Sequence, residues 1–147
     1  MKNAKGSDLD NHLALYDLIG TLARRRFQDA ERWFAGLGLN HTEARLLNLV
    51  SQQKGEVAQD VLSGMIFIDR TNVGRALKSL EAAGYIERRK GEADKRTYMV
   101  RITAEGRKVI ASIGKLRKKM ARAFFSELSA EEAGRILGLL EKSLETD

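Results

Sequence analysis

The sequence predicts a mainly α-helical chain that carries one small β-hairpin. Three observations lead there. Apolar residues recur at three-and-four spacing near both ends, a polar-faced helix lies in the middle, and the period drops to two just after it. The chain has 147 residues, with no proline and no cysteine. That length suits a single domain, 1–147, with its own core. The lack of cysteine excludes disulfides, thiolate nucleophiles and thiol redox sensing. The two histidines, His12 and His41, stand far apart, so neither a metal site nor a cofactor is expected. No apolar run reaches the roughly 18 residues of a membrane span, and the lysine-bearing start lacks an apolar signal core. A soluble, cytoplasmic protein is expected.

The first helix is predicted from Asp8 to Gly36, with residues 1–7 free. Leu9, Leu13, Tyr16, Gly20, Ala23, Phe27, Ala30, Phe34 and Leu37 follow a sustained heptad spacing. Leu15, Leu18, Ile19, Leu22 and Trp33 widen that seam. So broad an apolar surface needs more than one neighbour, its own core on one side and a second subunit on another. Asn40 begins the next helix, with Glu43 completing a capping box, and the helix ends near Gly55. Residues 57–66 read as a short helix weakened by Gly64, and 67–69 as a tight turn. Asp69 then caps a helix whose apolar face is Val73, Ala76, Leu77 and Leu80, closed by Gly84 in the left-handed conformation. Two short helices joined this tightly form a helix-turn-helix.

After Gly84, Ile86 and then Tyr98, Val100 and Ile102 alternate with polar residues, a hairpin whose charged tip is Lys90 to Lys95. Thr103 caps a long helix to about Phe125, with Val109, Ile110, Ile113, Leu116, Met120 and Phe124 inward. Ser129 and Glu132 form a second capping box for a last helix bearing Ile136, Leu137, Leu140 and Leu144.

Charge follows this order. Residues 70–101 hold nine Lys/Arg against four acids, and 126–147 hold two against six. A basic middle and an acidic tail imply that one region faces a polyanion. Thr71, Arg75, Lys78 and Ala82 lie opposite the apolar stripe of their helix, with Gly74 beside them. An α-helix fits the major groove of B-DNA, where Arg reads guanine and Thr or Asn meets other base edges. Gly74 and Ala82 would let the backbone come close. The hairpin would lie on the adjacent backbone and put a cation in the minor groove.

The stretch IDRTNVGRALKSLEAAGYIERR, followed by DKRTYMVRITAEG, resembles the MarR family (multiple-antibiotic-resistance regulators). Its wing signature is met by Asp94, Arg96, Ile102, Thr103 and Gly106. The resemblance extends from Leu39-Asn40 to the Leu-Ser-Ala-Glu-Glu start of the last helix. It implies a winged helix-turn-helix at 40–103, a connecting helix at 104–125, and dimerisation helices at 8–36 and 126–146. It also implies a homodimer on an inverted-repeat operator in double-stranded DNA. Arg70, Thr71, Asn72 and Arg75 would read bases, Arg96 would enter the minor groove, and Asp94 would hold its guanidinium by a bidentate pair. Lys78, Arg88, Lys90 and Lys95 complete the expected DNA contacts, the last two on phosphates. Phe67 stands where the family commonly has Gly in the turn, and the absent cysteine removes its peroxide-sensing branch.

Family members commonly release DNA on binding a small aromatic or phenolic acid. Arg24, Arg45 or His41 would hold such an effector, although His41 by position alone is an exposed first-turn residue. Arg24, Arg25 and Arg26 cannot share one helical face, so one of them would face a cleft. The run Lys115 to Arg122 reads as a solvated face or a partner of the acidic tail. Ser7, Ser51 and Ser63 have no companion His and Asp, and no glycine-rich phosphate loop is present, so no enzyme is expected. The favoured reading is a repressor released by a ligand. The alternatives are a ligand-independent activator or anti-silencing regulator, and a winged-helix module serving protein contacts.

Overall fold

The computed structural model describes residues 4–145, with side chains from Asp10 onward. Its elements are α1 (Ala4–Ala35), α2 (His41–Ser51), β1 (Val57–Ala58), α3 (Gln59–Ile66), α4 (Arg70–Ala82), β2 (Ile86–Lys90), β3 (Tyr98–Ile102), α5 (Ala104–Phe124) and α6 (Ala130–Glu141), with a closing 3-10 turn Lys142–Leu144. Helix α1 starts at Ala4, so residues 4–7 are not free as expected. Met1 to Asn3, Thr146 and Asp147 lie outside the described residues, as does the side chain of Leu9 in the expected seam.

The caps form where the sequence places them. Asn40 accepts from the Glu43 N–H at 2.8 Å while its own N–H donates to Glu43 Oε1 at 2.9 Å. Ser129 and Glu132 repeat this reciprocal pair at the start of α6. Asp69 Oδ1 accepts from the Asn72 N–H at 2.9 Å, and Gly84 turns the chain out of α4 at φ 81°.

The expected hairpin is part of a three-stranded antiparallel sheet ordered β1-β3-β2. Val57 and Ala58, expected in a helix, instead pair with Val100 and Met99, so α3 begins only at Gln59. Two strand residues are too few for an alternating pattern to be visible. Helix α2 also stops earlier than expected, at Ser51, and Gly55 at φ 74° carries the turn into β1.

The core sits under the helix-turn-helix. Leu46, Leu47 and Val50 of α2 meet Leu62 and Ile66 of α3, Val73, Leu77 and Leu80 of α4, and Ile86 and Val100 of the sheet. Ala30 and Phe34 bring the end of α1 into this core, and Ile113 brings α5. Helix α4 and the hairpin thus pack on one shared core. Outside it, α6 buries no residue, and Leu13, Tyr16, Leu18 and Ile19 of α1 are exposed. No described helix is long and apolar enough to cross a membrane.

Candidate functional site

Helix α4 buries Val73, Ala76, Leu77 and Leu80 and turns Arg70, Thr71, Asn72, Arg75 and Lys78 outward. Among the described residues none of the three cations has a carboxylate partner, so the face is electrostatically unbalanced. Asn72 is partly committed: its side-chain Nδ2 donates back to Asp69 Oδ2 at 2.6 Å. Gly74 does not face outward. A Cβ there would lie 3.4 Å from Gln59 Nε2 at the start of α3. A shallow groove beside this face is lined by Asn40, Thr42 and Glu43 from α2 and by Asn72, Arg75 and Ser79 from α4.

The basic hairpin sorts into two groups that its sequence does not distinguish. Arg88, Arg89 and Arg101 are engaged. Arg89 pairs with Glu56, whose carboxyl is held below its ordinary range chiefly by that hydrogen bond, and Arg101 pairs with Glu87. Arg88 is turned inward, its side chain only 10% exposed. It donates to Glu81 at 3.2 Å and Gln59 at 3.4 Å, and lies over the Tyr98 ring at 5.0 Å. Arg88 was expected to touch DNA; its geometry makes it a brace between α4, α3 and the sheet. Lys90, Lys95 and Arg96 are exposed and, among the described residues, without a carboxylate partner; they lie about the tip.

The tip is shaped by Asp94. Its Oδ1 accepts from the Arg96 backbone N–H at 3.0 Å, and its carbonyl accepts from Thr97 Oγ1 at 2.8 Å. The expected bidentate grip on the Arg96 guanidinium is absent among the described ion pairs; a short acidic side chain two residues away caps the backbone turn instead. The Thr-x-x-Gly motif that follows has a comparable local reason. Thr103 Oγ1 accepts from the Gly106 N–H at 3.0 Å and donates to the Gly84 carbonyl at 2.6 Å. A Cβ on Gly106 would lie 2.1 Å from the Tyr85 carbonyl oxygen.

A second feature lies behind the helix-turn-helix. A cavity of about 220 Å³ opens between α1, α2 and α5, with Phe34, Leu49, Met65, Ile113 and Met120 as apolar walls. Three guanidiniums reach it, from Arg26, Arg45 and Arg117. Of the expected ligand residues, Arg45 and His41 line it and Arg24 does not; the member of the arginine triplet that faces the cleft is Arg26. Arg117, in a run read as a solvated face or a partner of the acidic tail, also lines the cavity, which sequence reasoning missed. The spacing between Ile113 and Arg117 on one helix face could have revealed it.

His41 is not the exposed residue that its helix-start position suggests. It is 8% exposed, packed against Phe27 and Phe34 at 5.0 and 6.1 Å between ring centres. Its backbone N–H donates to Glu31 Oε1 at 2.9 Å, while its Nδ1 is buried without a hydrogen-bond partner among the described residues. Burial, then the charges of Arg45 and Arg26, hold the imidazole below its ordinary value, against the opposing carboxylate of Glu31.

Comparison with known proteins agrees with this architecture. The chain is 31% identical over 105 residues to YdgJ, an uncharacterized HTH-type transcriptional regulator of Bacillus subtilis, a match covering 71% of this chain and 63% of that protein. It thus spans under two thirds of the length of that relative, as it does of PapX from Escherichia coli at 62%. Wild-type MarR from E. coli in its apo form superposes with TM-score 0.80 at 21% identity, covering 88% of this chain and 96% of that one. A mutant MarR crystallised with operator DNA superposes with TM-score 0.74 at 20% identity, covering 92% and 96%. The family model described as MarR family matches residues 37–97, the segment that builds the helix-turn-helix and most of its wing, and that segment belongs to the MarR family.

Proposed function

We propose that the protein is a dimeric, sequence-specific DNA-binding transcriptional regulator, a repressor released by a small aromatic or phenolic acid. One observation carries the DNA reading: the cations of the basic middle divide into engaged and free groups, and the free ones lie on α4 and the hairpin tip. Charged side chains left unpaired beside available carboxylates suit an external polyanion. Arg70, Thr71 and Arg75 would meet base edges in the major groove, and Arg96 would enter the adjacent minor groove. Lys78, Lys90 and Lys95 would hold phosphates. The likeness to a MarR structure holding operator DNA supports the same orientation.

The cavity behind α2 supports the ligand part of the reading. Its apolar walls suit a ring and its guanidiniums suit an acid group. Arg26, Arg45, Arg117 and His41 would hold the ligand. The cavity touches α1, α2 and α5, the helices that join the reading head to the exposed apolar ends, so an occupant there would alter the spacing of two heads. Selection from a pool of randomised duplexes, followed by titration at rising salt, tests the proposal. An inverted repeat should emerge, with affinity falling steeply as salt rises. Binding that neither selects a sequence nor responds to salt would defeat it.

A further inference from the structure

We propose that the α1–α2–α5 cavity takes up a small organic anion together with a proton, and that the imidazole of His41 carries that proton. The inference deepens the ligand part of the proposed function and rests on it for the occupant alone. Its starting point is a mismatch between charge and partnering. The guanidiniums of Arg26, Arg45 and Arg117 are exposed at the cavity and can be satisfied by water, but His41 Nδ1 is buried and makes no hydrogen bond. A buried polar atom without a partner loses its hydration without compensation, and this one belongs to a residue lining a cavity.

A carboxylate is an acceptor only. Placed in the cavity beside the imidazole, it favours the ring's protonated form, in which both nitrogens are donors. It also reverses the local balance of charge. The charged groups acting on His41 are Arg26 and Glu31 from α1 and Arg45 from α2; Arg117 from α5 lines the same cavity, and Met65 from α3 brings no charge. Burial beside Phe27 and Phe34 disfavours an imidazolium most, and the charges of Arg45 and Arg26 add to that against the one carboxylate of Glu31. An entering anion cancels part of the positive field, so the imidazole draws a proton from solvent while the anion keeps its charge. Arginine does not titrate in this range, which leaves His41 as the cavity group that changes state near neutral pH.

The sign follows from linkage. The free protein holds His41 below its ordinary value, and the anion raises it. Anion affinity is therefore greatest below the free-state pKa and falls as pH rises toward the bound-state pKa. Above that it becomes independent of pH. Within the window the slope approaches about tenfold per pH unit.

Benzoate is a suitable probe, with chloride at equal ionic strength as the control. The His41 imidazole is followed by NMR through a pH titration of the full chain, assigned as the one of the two histidine signals that persists in His12→Gln. Benzoate should move the midpoint upward, and chloride should not. Calorimetry of benzoate binding in buffers of different ionisation heat should show proton uptake that His41→Gln abolishes. An unmoved midpoint, an equal shift with chloride, or undiminished proton uptake in His41→Gln would each overturn the proposal. Because the NMR readout uses wild-type protein without DNA, failure of the variant to fold does not blunt it. Operator binding without benzoate tests the regulator reading separately, so either idea can fail while the other stands.

Discussion

Phe67 is the residue where the chain departs most from what its backbone requires. It closes α3 at φ 56° and ψ 38°, the only non-glycine residue with positive φ among those described, and its side chain is 94% exposed. A left-handed L-residue costs roughly 1–2 kcal/mol, and here no burial offsets it. Phe67→Gly should raise stability by about 0.5–1 kcal/mol, the strain relieved less the extra freedom of glycine in the unfolded chain. Urea unfolding measures this, and a Phe67→Gly variant no more stable than wild type would show that the turn is not strained. Gly106 is the converse case. A methyl group there collides with the Tyr85 carbonyl, so Gly106→Ala should lose about 1–3 kcal/mol on the same assay. An unchanged midpoint would mean that β2 and α5 can separate without cost. Both positions stand out in the sequence, one as a departure from the family pattern and one as a member of it. At Gly106 the reason is a backbone approach between distant segments, which no local pattern encodes, and at Phe67 it is the left-handed turn that closes α3.

At the scale of elements, periodicity and caps made α2, α4, α5 and α6 legible, because each has an apolar stripe and a side-chain cap at its start. What stayed hidden was the pairing of charges. Arg88, Lys90 and Arg96 look alike in a basic run, yet only Arg88 meets Glu81, Gln59 and Tyr98. This yields a contrast among variants. Arg75→Ala should cost about 1–3 kcal/mol on a preferred half-site and relax selectivity at particular base pairs. Lys95→Ala should weaken all duplexes alike and reduce the salt slope by about one unit. Arg88→Ala should behave differently from both, lowering protein stability as Glu81 and Gln59 lose their shared partner and the hairpin loosens. Thermal unfolding beside fluorescence-anisotropy titrations separates the three. If Arg88→Ala keeps full stability and loses only salt-dependent affinity, Arg88 is a phosphate contact after all.

For the whole molecule, the decisive feature is apolar surface that one chain leaves uncovered. The heptad seam of α1 divides along its length: Ala30 and Phe34 enter the chain's own core, whereas Leu13 and Tyr16 remain exposed. Leu18 and Ile19 beside that seam are uncovered too, as are Ile136, Leu137 and Leu139 on α6 and Leu144 just after it. His12, Leu15, Tyr16 and Ile19 of α1 lie together with Leu137, Leu140 and Leu144 around one groove. Helix α6 has a complete capping box but no buried residue, so its own packing does not explain its apolar face. Monomeric proteins rarely expose contiguous apolar patches of this kind, and the heptad spacing suits a second copy of the same helices. The protein should sediment as a dimer at micromolar concentration. Replacing Tyr16 and Leu137 together by Lys should give a folded monomer, because neither side chain contributes to the buried core. Its reading head would stay intact, yet operator affinity should fall by a factor of about 100 or more, since the second half-site no longer binds as part of the same particle. Sedimentation velocity and operator titration on the same sample decide the matter. A wild-type chain that sediments as a monomer, or a monomeric variant that holds the operator as tightly as wild type, would break the link between this surface and DNA recognition.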